Sequence, residues 1–185
     1  MTRPDTLRDR IVAAAAATTV ASGWSAVSMA GLAQAVGVSR QTVYNEVGAK
    51  PELATAVVLD ELAGFLAVVE AAFDRFPDDT AAGVERAVRD VLVRAQTSPL
   101  LRAIVSASHG ADSDLLPLLT TNAEPLLDAA RIVVAARLTD VPVEKTRTVI
   151  ADVLVRVVLS HVMAPSAPPA RTARDVGWTY RQLSA

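Results

Sequence analysis

Residues 39–50 of this 185-residue chain hold many hydrogen-bonding side chains and a single carboxylate. A guanidinium, two carboxamides, a hydroxyl, a phenol and an ammonium group follow one another there: Arg40, Gln41, Thr42, Tyr44, Asn45 and Lys50. Arginine, glutamine and asparagine can read base edges in the major groove, and hydroxyl and ammonium groups contact phosphates. An ordinary surface helix would more often carry Glu and Lys. The residue types therefore indicate chemistry directed at nucleic acid.

Other kinds of chemistry have little support in the sequence. The chain has no Cys and only two His, which excludes a disulfide scaffold, a thiolate nucleophile and a three-histidine metal site. Ser160 and His161 are adjacent and cannot form a catalytic triad by themselves, and neither a phosphate-binding loop nor an HExxH motif is present. We expect no catalytic residue, no metal and no cofactor. A small enzyme or a helical adaptor is the alternative from a different functional class.

Two short helices joined by a tight turn would position the polar side chains. Ser28 can cap a helix over residues 29–36, Gly37 closes it, and Ser39 can cap the helix that follows. Five apolar residues would lock the two helices together: Leu32, Ala33, Val36, Val38 and Val43. This spacing is typical of a helix-turn-helix over about residues 28–47, whose second helix enters the major groove. Two solvated helices at the edge of a bundle are the alternative.

The rest of the chain also predicts helices. Hydrophobic residues make up 51% of the chain and aromatic residues only 4%, which favours helices packed through small and branched aliphatic side chains. Apolar residues recur at helical spacing between Gly and Pro breaks, and we find no β alternation. We therefore predict an all-α fold of about nine helices, with a three-helix domain over residues 1–50 and a larger helical domain over residues 51–185.

The string LAQAVGVSRQTVYNEVGAKPEL resembles the DNA-binding core of TetR-family transcriptional repressors. The matching features are the small residue and glycine before Val38-Ser39, then Tyr44, then Lys50 with Glu52-Leu53. An alanine-rich first helix and Gly23-Trp24 fit the same pattern. The resemblance covers about the first 55 residues, and the remainder matches only in being helical and of suitable length.

Two features depart from the family pattern. Val47 stands where the family usually has an aromatic residue, and we expect it to fill the hinge before the fourth helix with less bulk. The Asn45-Glu46 pair differs from the commoner aromatic or basic residues. The specificity for DNA therefore cannot be transferred from the family.

The resemblance implies that eight polar residues contact DNA: Ser28, Ser39, Arg40, Gln41, Thr42, Tyr44, Asn45 and Lys50. The residue chemistry agrees, because the two serines cap helices whose N-terminal amides can face phosphates. The two carboxamides and the threonine are candidates for base contacts, and the arginine can reach a guanine edge or a phosphate. The tyrosine and the lysine would contact the phosphate backbone of the DNA. Their alternatives are a half-buried packing aromatic and a solvated charge.

The distribution of charge agrees with a DNA-binding N-terminus. Residues 1–50 carry five basic and three acidic side chains, whereas the whole chain has a formal net charge of −2. With so few cations on each subunit, non-specific binding should be weak and sensitive to salt. Two DNA-binding heads on one operator would compensate for this.

Residues 11–39 contain no charged side chain, so a membrane span and a signal peptide must be considered. Hydroxyl groups and glycines interrupt the segment, and the many alanines gain little from transfer to lipid. Three arginines precede the alanine run as in a signal peptide, but Asp5 and Asp9 dilute that charge. We expect a cytoplasmic protein with no membrane association.

Residues 149–163 predict a helix that is apolar over more than half of its circumference, with one polar stripe of Asp152, Arg156 and Ser160. Such a helix packs on two sides, and we expect a partner subunit on one of them. The resemblance implies a homodimer held by the last two helices. The candidate interface residues are Val153, Leu154, Val157, Val158, His161, Trp178 and Leu183. The central helix of a monomeric bundle is the alternative.

The middle helices would enclose an effector pocket in a protein of this family. Candidate lining residues are mostly aliphatic, with a few polar members: Phe65, Val69, Val88, Leu92, Leu101, Ile104, Val105, His109, Leu119, Asn122, Leu126 and Arg131. We expect a small hydrophobic effector that releases a dimeric repressor from a near-palindromic double-stranded operator. An effector-independent regulator and an activator are the alternatives among DNA-binding proteins, and the polar candidates could instead be surface or capping residues.

Overall fold

The computed structural model describes residues 6–106, 115–120 and 122–184, and every regular element in these residues is helical. The prediction of an all-α fold is confirmed. The helices are α1 (Leu7–Ser22), α2 (Met29–Val36), α3 (Arg40–Val47), α4 (Lys50–Asp74), α5 (Thr80–Thr97), α6 (Pro99–Ser106), α7 (Leu116–Leu119), α8 (Glu124–Arg137), α9 (Glu144–Met163) and α10 (Pro169–Leu183). One 3₁₀ turn, Trp24–Ala26, follows α1.

Polar caps begin several of these helices. The Thr6 hydroxyl accepts the Asp9 amide, and the Asp9 carboxylate accepts the Thr6 amide, each at 3.1 Å, which forms a capping box at α1. The Ser28 hydroxyl caps α2 by accepting the Gly31 amide at 3.1 Å. The Asp79 carboxylate caps α5 through the Ala82 amide at 2.9 Å. These caps satisfy amides that have no partner inside their own helix.

The described residues form two compact units. The first comprises Met1–Glu61 with Pro99–Ala123, and the second comprises Leu62–Ser98 with Glu124–Ala185. In the first unit, α1 packs against α2, α3 and α6, and α2 packs against α3. Its core contains Ile11, Trp24 and Leu32, all buried. This packing fixes the short helices of the helix-turn-helix on the longer α1.

The second unit is a helical bundle in which α5 packs against α10 and α9, and α8 packs against α9. Its core is largely aliphatic, with Phe73 and Tyr180 as buried aromatic residues. Gly83 allows α5 to pack closely against Phe73 of α4, because a Cβ atom at position 83 would lie 2.6 Å from the Phe73 ring. None of the helices formed by the described residues has both the length and the apolar composition needed to cross a membrane.

Tyr180 links α10 to the turn between α8 and α9. Its ring is fully buried, and its hydroxyl donates a hydrogen bond to the Asp140 carboxylate. Burial raises the pKa of the Tyr180 phenol well above its ordinary value, and the Asp140 hydrogen bond and negative charge raise it further. The neutral phenol is therefore part of the native structure.

Candidate nucleic-acid interface

Helix α3 begins at a serine cap and ends at a glycine. The Ser39 hydroxyl accepts the Thr42 amide at 3.1 Å, as the sequence predicts. Gly48 follows the helix with φ of 75°, a value that side-chain-bearing residues rarely adopt. Val43 and Val47 face inward and are 0% and 2% exposed. These features fix both ends and the inner side of an eight-residue helix.

The remaining side chains of α3 form an outward face. Successive helical residues are about 100° apart, so the direction opposite Val43 and Val47 falls on Asn45, with Gln41 and Thr42 within about 60° of it. Gln41 and Asn45 are exposed, and Thr42 is half-buried. The centre of this face therefore carries two carboxamides and one threonine.

Larger polar side chains flank that centre on one side. Arg40 is exposed, and 41% of the Tyr44 surface is accessible to solvent. Both lie on the same flank of the helix, since they are four residues apart. The structure thus brings together the five polar residues that the sequence singled out on α3.

Lys50 lies at the start of α4, with its ammonium group 5.3 Å from the centroid of the Trp24 ring. This cation–π contact limits where the ammonium group can be. The Glu52 carboxylate accepts the Ala49 amide at 3.0 Å and closes the start of the same helix. The Lys50 side chain is half-buried. Ser28, the remaining candidate, is an exposed cap on α2.

Two arginines that the sequence analysis did not select orient the helix-turn-helix. Arg8 donates to the Glu46 carbonyl near the end of α3, and Arg10 donates to the Val36 carbonyl at the end of α2, the latter at 2.9 Å. Neither α2 nor α3 has a basic residue in its own last turn. Cations at helix C-termini are favourable, and the two arginines of α1 place guanidinium groups at the C-termini of α2 and α3. Helices α1, α4, α6 and α7 also lack a basic residue in the last turn, so no signal in the sequence singles out Arg8 and Arg10.

Comparison with known proteins identifies the family. Residues 79–181 match the family described as "Bacterial Tetracyclin repressor, C-terminal domain", which is more than half of the chain. Residues 11–57 match "Bacterial regulatory proteins, tetR family". This chain belongs to the TetR family of transcriptional regulators. Members of the TetR family are ligand-responsive transcriptional repressors and not enzymes.

Individual TetR-family proteins resemble the chain over most of its length. The HTH-type transcriptional regulator AlkX of Mycobacterium tuberculosis is 29% identical over 173 residues, which cover 92% of this chain and 81% of that protein. The crystal structure of the TetR family repressor AlkX from Dietzia sp. strain DQ12-45-1b has a TM-score of 0.81 and 25% identity, covering 99% of this chain and 97% of that chain. The Rhodococcus repressor QsdR (R. erythropolis) shares the fold at 18% identity, with a TM-score of 0.63 over 96% of this chain and 95% of its own.

The candidate effector-pocket residues of the first compact unit are mainly buried. Leu101, Ile104 and Leu119 lie in its interior, and Val105 is half-buried. Asn122 is exposed. His109 lies outside the described residues. In this unit the described pocket candidates therefore contribute aliphatic surface and no buried polar anchor.

The other pocket candidates belong to the second unit. Val69, Val88 and Leu92 share its core cluster, Phe65 packs against that cluster, and Leu126 is also buried. The Arg131 guanidinium pairs with the Asp128 carboxylate at 2.8 Å on the same helix. This pairing supports the capping or surface alternative for the arginine.

Arg94 is a polar residue of the second unit that the sequence analysis did not select. The carbon of its guanidinium lies 4.9 Å from the centroid of the Phe65 ring. Gly64 makes room for it, because a Cβ atom there would lie 2.4 Å from Arg94 Nη2. An arginine in the last turn of a helix gives no sequence signal of such packing. The second unit therefore contains a cation against an aromatic face that the predicted aliphatic lining omitted.

The candidate dimer residues divide into outward and inward groups. Val153, Val157, Trp178 and Leu183 are large exposed apolar side chains. Val158 is partly buried against the core, and His161 bonds to the Val157 carbonyl at 2.9 Å. Leu154 is buried in the core of its own unit, which leaves its side chain little surface for contact with a partner.

A cleft of about 340 Å³ opens beside α9 and α10, and His161, Arg171 and Asp175 are among its lining residues. Thr172 is another lining residue, and its buried hydroxyl has no hydrogen-bond partner in the described part of the chain. Buried hydroxyl groups are normally paired. No group of three His, Asp or Glu side chains in the described ranges could hold a metal ion.

Proposed function

We propose that this TetR-family regulator is a homodimeric repressor that binds a near-palindromic operator and is released by a small hydrophobic effector. The observation that carries the proposal is the outward face of α3, where polar, mostly uncharged side chains lie opposite two buried valines. In this proposal residues 1–50 form the DNA-binding domain and residues 51–185 form the effector-binding and dimerisation domain. A regulator of transcription would act in the cytoplasm.

The DNA contacts follow from the chemistry of the side chains. Gln41, Thr42 and Asn45 occupy the centre of the outward face and would meet base edges in the major groove. Arg40 and Tyr44 flank that centre and would meet a guanine edge or the phosphate backbone. The backbone amides in the first turns of α2 and α3, which Ser28 and Ser39 cap, would face phosphates. Trp24 would hold the Lys50 ammonium group against the phosphate backbone of the DNA.

The exposed apolar residues of α9 and α10 support a dimer. Val153 and Val157 are four residues apart on one face of α9, and Trp178 is 60% exposed on α10. Large exposed aromatic and aliphatic groups are characteristic of protein–protein interfaces. A two-fold dimer would place the two α3 helices about 34 Å apart, which is one turn of the duplex.

The effector class rests on the apolar character of the candidate pocket residues. The Dietzia AlkX repressor is implicated in biodegradation of n-alkanes, which agrees with a hydrophobic ligand. Such a ligand would release the repressor if it stabilised a conformation with lower affinity for the operator.

The proposal is tested with the Tyr44→Ala/Lys50→Ala double variant. We expect at least tenfold weaker operator binding, and a logarithmic salt dependence reduced by about 0.9 for each phosphate that the variant no longer neutralises. Fluorescence anisotropy over a range of salt concentrations measures both, and circular dichroism checks that the variant is folded. The matched control is Lys145→Ala, which removes an exposed lysine from α9 and should change neither quantity. Unchanged, salt-sensitive binding by the double variant would contradict the assignment of these residues.

A further inference from the structure

Two side-chain hydrogen bonds fix the polar groups at the centre of the α3 outward face. Gln41 Nε2 donates to Asn45 Oδ1 at 3.0 Å. The hydroxyl groups of Ser39 and Thr42 are 2.8 Å apart and hydrogen-bonded, while Ser39 Oγ also accepts the Thr42 amide. The free protein therefore already holds these side chains in defined positions, before any DNA is bound.

The groups left over have a definite hydrogen-bonding pattern. A carboxamide has two N–H donors and one oxygen acceptor. After the bond to Asn45, Gln41 retains one N–H and its oxygen, and Asn45 retains both of its N–H groups. The Thr42 hydroxyl is engaged with the serine cap, which leaves its methyl group for contact. The centre of the outward face thus offers a donor and an acceptor of Gln41, the N–H donors of Asn45 and the methyl group of Thr42.

We propose that α3 recognises an adenine–thymine half-site, in which Gln41 reads an adenine and Thr42 contacts a thymine methyl group. This inference rests on the proposed DNA-binding function and specifies its substrate. Adenine presents an N6 donor and an N7 acceptor in the major groove, which match the oxygen and the free N–H of Gln41. Thymine presents a methyl group, which favours an apolar contact with the Thr42 methyl.

Asn45 has a positioning role in this arrangement. In the observed bond Gln41 donates to Asn45 Oδ1, so the Gln41 oxygen stays free to accept from a base. Guanine presents two acceptors, O6 and N7, and would place one of them against the Gln41 oxygen. With Gln41 donating to Asn45, the pair favours adenine over guanine at the base that Gln41 contacts.

The first experiment selects bound duplexes from a randomised pool with the full-length protein. We expect one adenine in each half-site whose replacement by guanine weakens binding about 5- to 150-fold, the range for one bidentate base contact. Replacing it by 7-deaza-adenine, which lacks the N7 acceptor, should also weaken binding. Gln41→Ala should remove both effects. Gln96→Ala, which truncates a glutamine on α5, is the matched control and should retain them.

Asn45→Ala tests the positioning role. It should reduce the preference for adenine at the base pair that Gln41→Ala affects. Because the two residues act as a unit, the Gln41→Ala/Asn45→Ala double variant should be no less selective for the base than Gln41→Ala alone. A change confined to stability would not alter the preference at one base pair.

Thr42→Ser tests the methyl contact, because serine retains the hydroxyl and lacks the methyl group. Replacing the contacted thymine by uracil should weaken binding of the wild-type protein and have no effect on Thr42→Ser. Selective binding that is insensitive to 7-deaza-adenine, or equally sensitive in Gln41→Ala, would overturn the inference and leave the proposed function standing. Failure of the folded protein to bind any duplex would overturn both.

Discussion

At the scale of single residues, contacts between side chains and helix ends position the candidate DNA-binding surface. Arg8 and Arg10 of α1 donate to carbonyls at the ends of α3 and α2, and Trp24 holds the Lys50 ammonium group. None of these three residues lies on the outward face of α3. They act through the groups that they orient, so their effect on DNA binding would be indirect.

Tyr180 gives a residue-scale prediction about the second unit. Its pKa is raised in the native state, so the folded protein keeps a proton that the unfolded chain loses above the ordinary tyrosine pKa of about 10. Stability from this group is fully present below about pH 10 and decreases as the pH rises further. Tyr180→Phe should lose about 1 kcal/mol at neutral pH, a low value for a charged acceptor because Asp140 is exposed. Above pH 10 the stability of Tyr180→Phe should also decrease less steeply with pH than that of the wild type.

Urea denaturation at a series of pH values measures both effects. Tyr44→Phe is the matched control, since it removes an exposed tyrosine hydroxyl and should follow the wild-type profile. Parallel pH profiles for Tyr180→Phe and the wild type would contradict this role for the buried phenol.

At the scale of elements, the local sequence predicted the helices well because their ends carry explicit signals. Ser28 and Ser39 cap α2 and α3 as expected, and Gly37 follows α2 in the left-handed conformation with φ of 76°. Asp79 likewise caps α5. Caps and glycine ends depend on neighbouring residues only, so a sequence pattern contains them. The helix-turn-helix and its polar face were predictable for the same reason.

Contacts between distant elements could not be predicted in this way. Helix α6 packs against α1 although the two are far apart in sequence, and no local pattern indicates that pairing. In α9 the apolar residues cover most of the circumference, so periodicity alone did not distinguish Leu154, which is buried, from Val153, which is exposed. The packing of Arg94 on Phe65 depends on a third residue, Gly64, in the same way.

At the scale of the whole molecule, the exposed apolar residues of α9 determine the expected assembly. Val153→Glu should convert the proposed dimer to a monomer, because a carboxylate buried without a partner at the interface is costly. Sedimentation velocity measures the oligomeric state. Val20→Glu is the matched control, since Val20 on α1 is 45% exposed against 41% for Val153, and it should leave the dimer intact. A Val153→Glu protein that remains dimeric would contradict an interface built on this face of α9.

DNA cleavage from a single attached reagent would show directly which part of the molecule faces the operator. Because the chain has no cysteine, Glu46→Cys on α3 creates a unique thiol for an iron chelate that cuts nearby DNA. We expect two clusters of cuts about one helical turn apart, placed symmetrically about the operator centre. The same reagent at Gln96→Cys on α5 should give no cuts. Cutting from position 96 with none from position 46 would show that α3 does not read the operator.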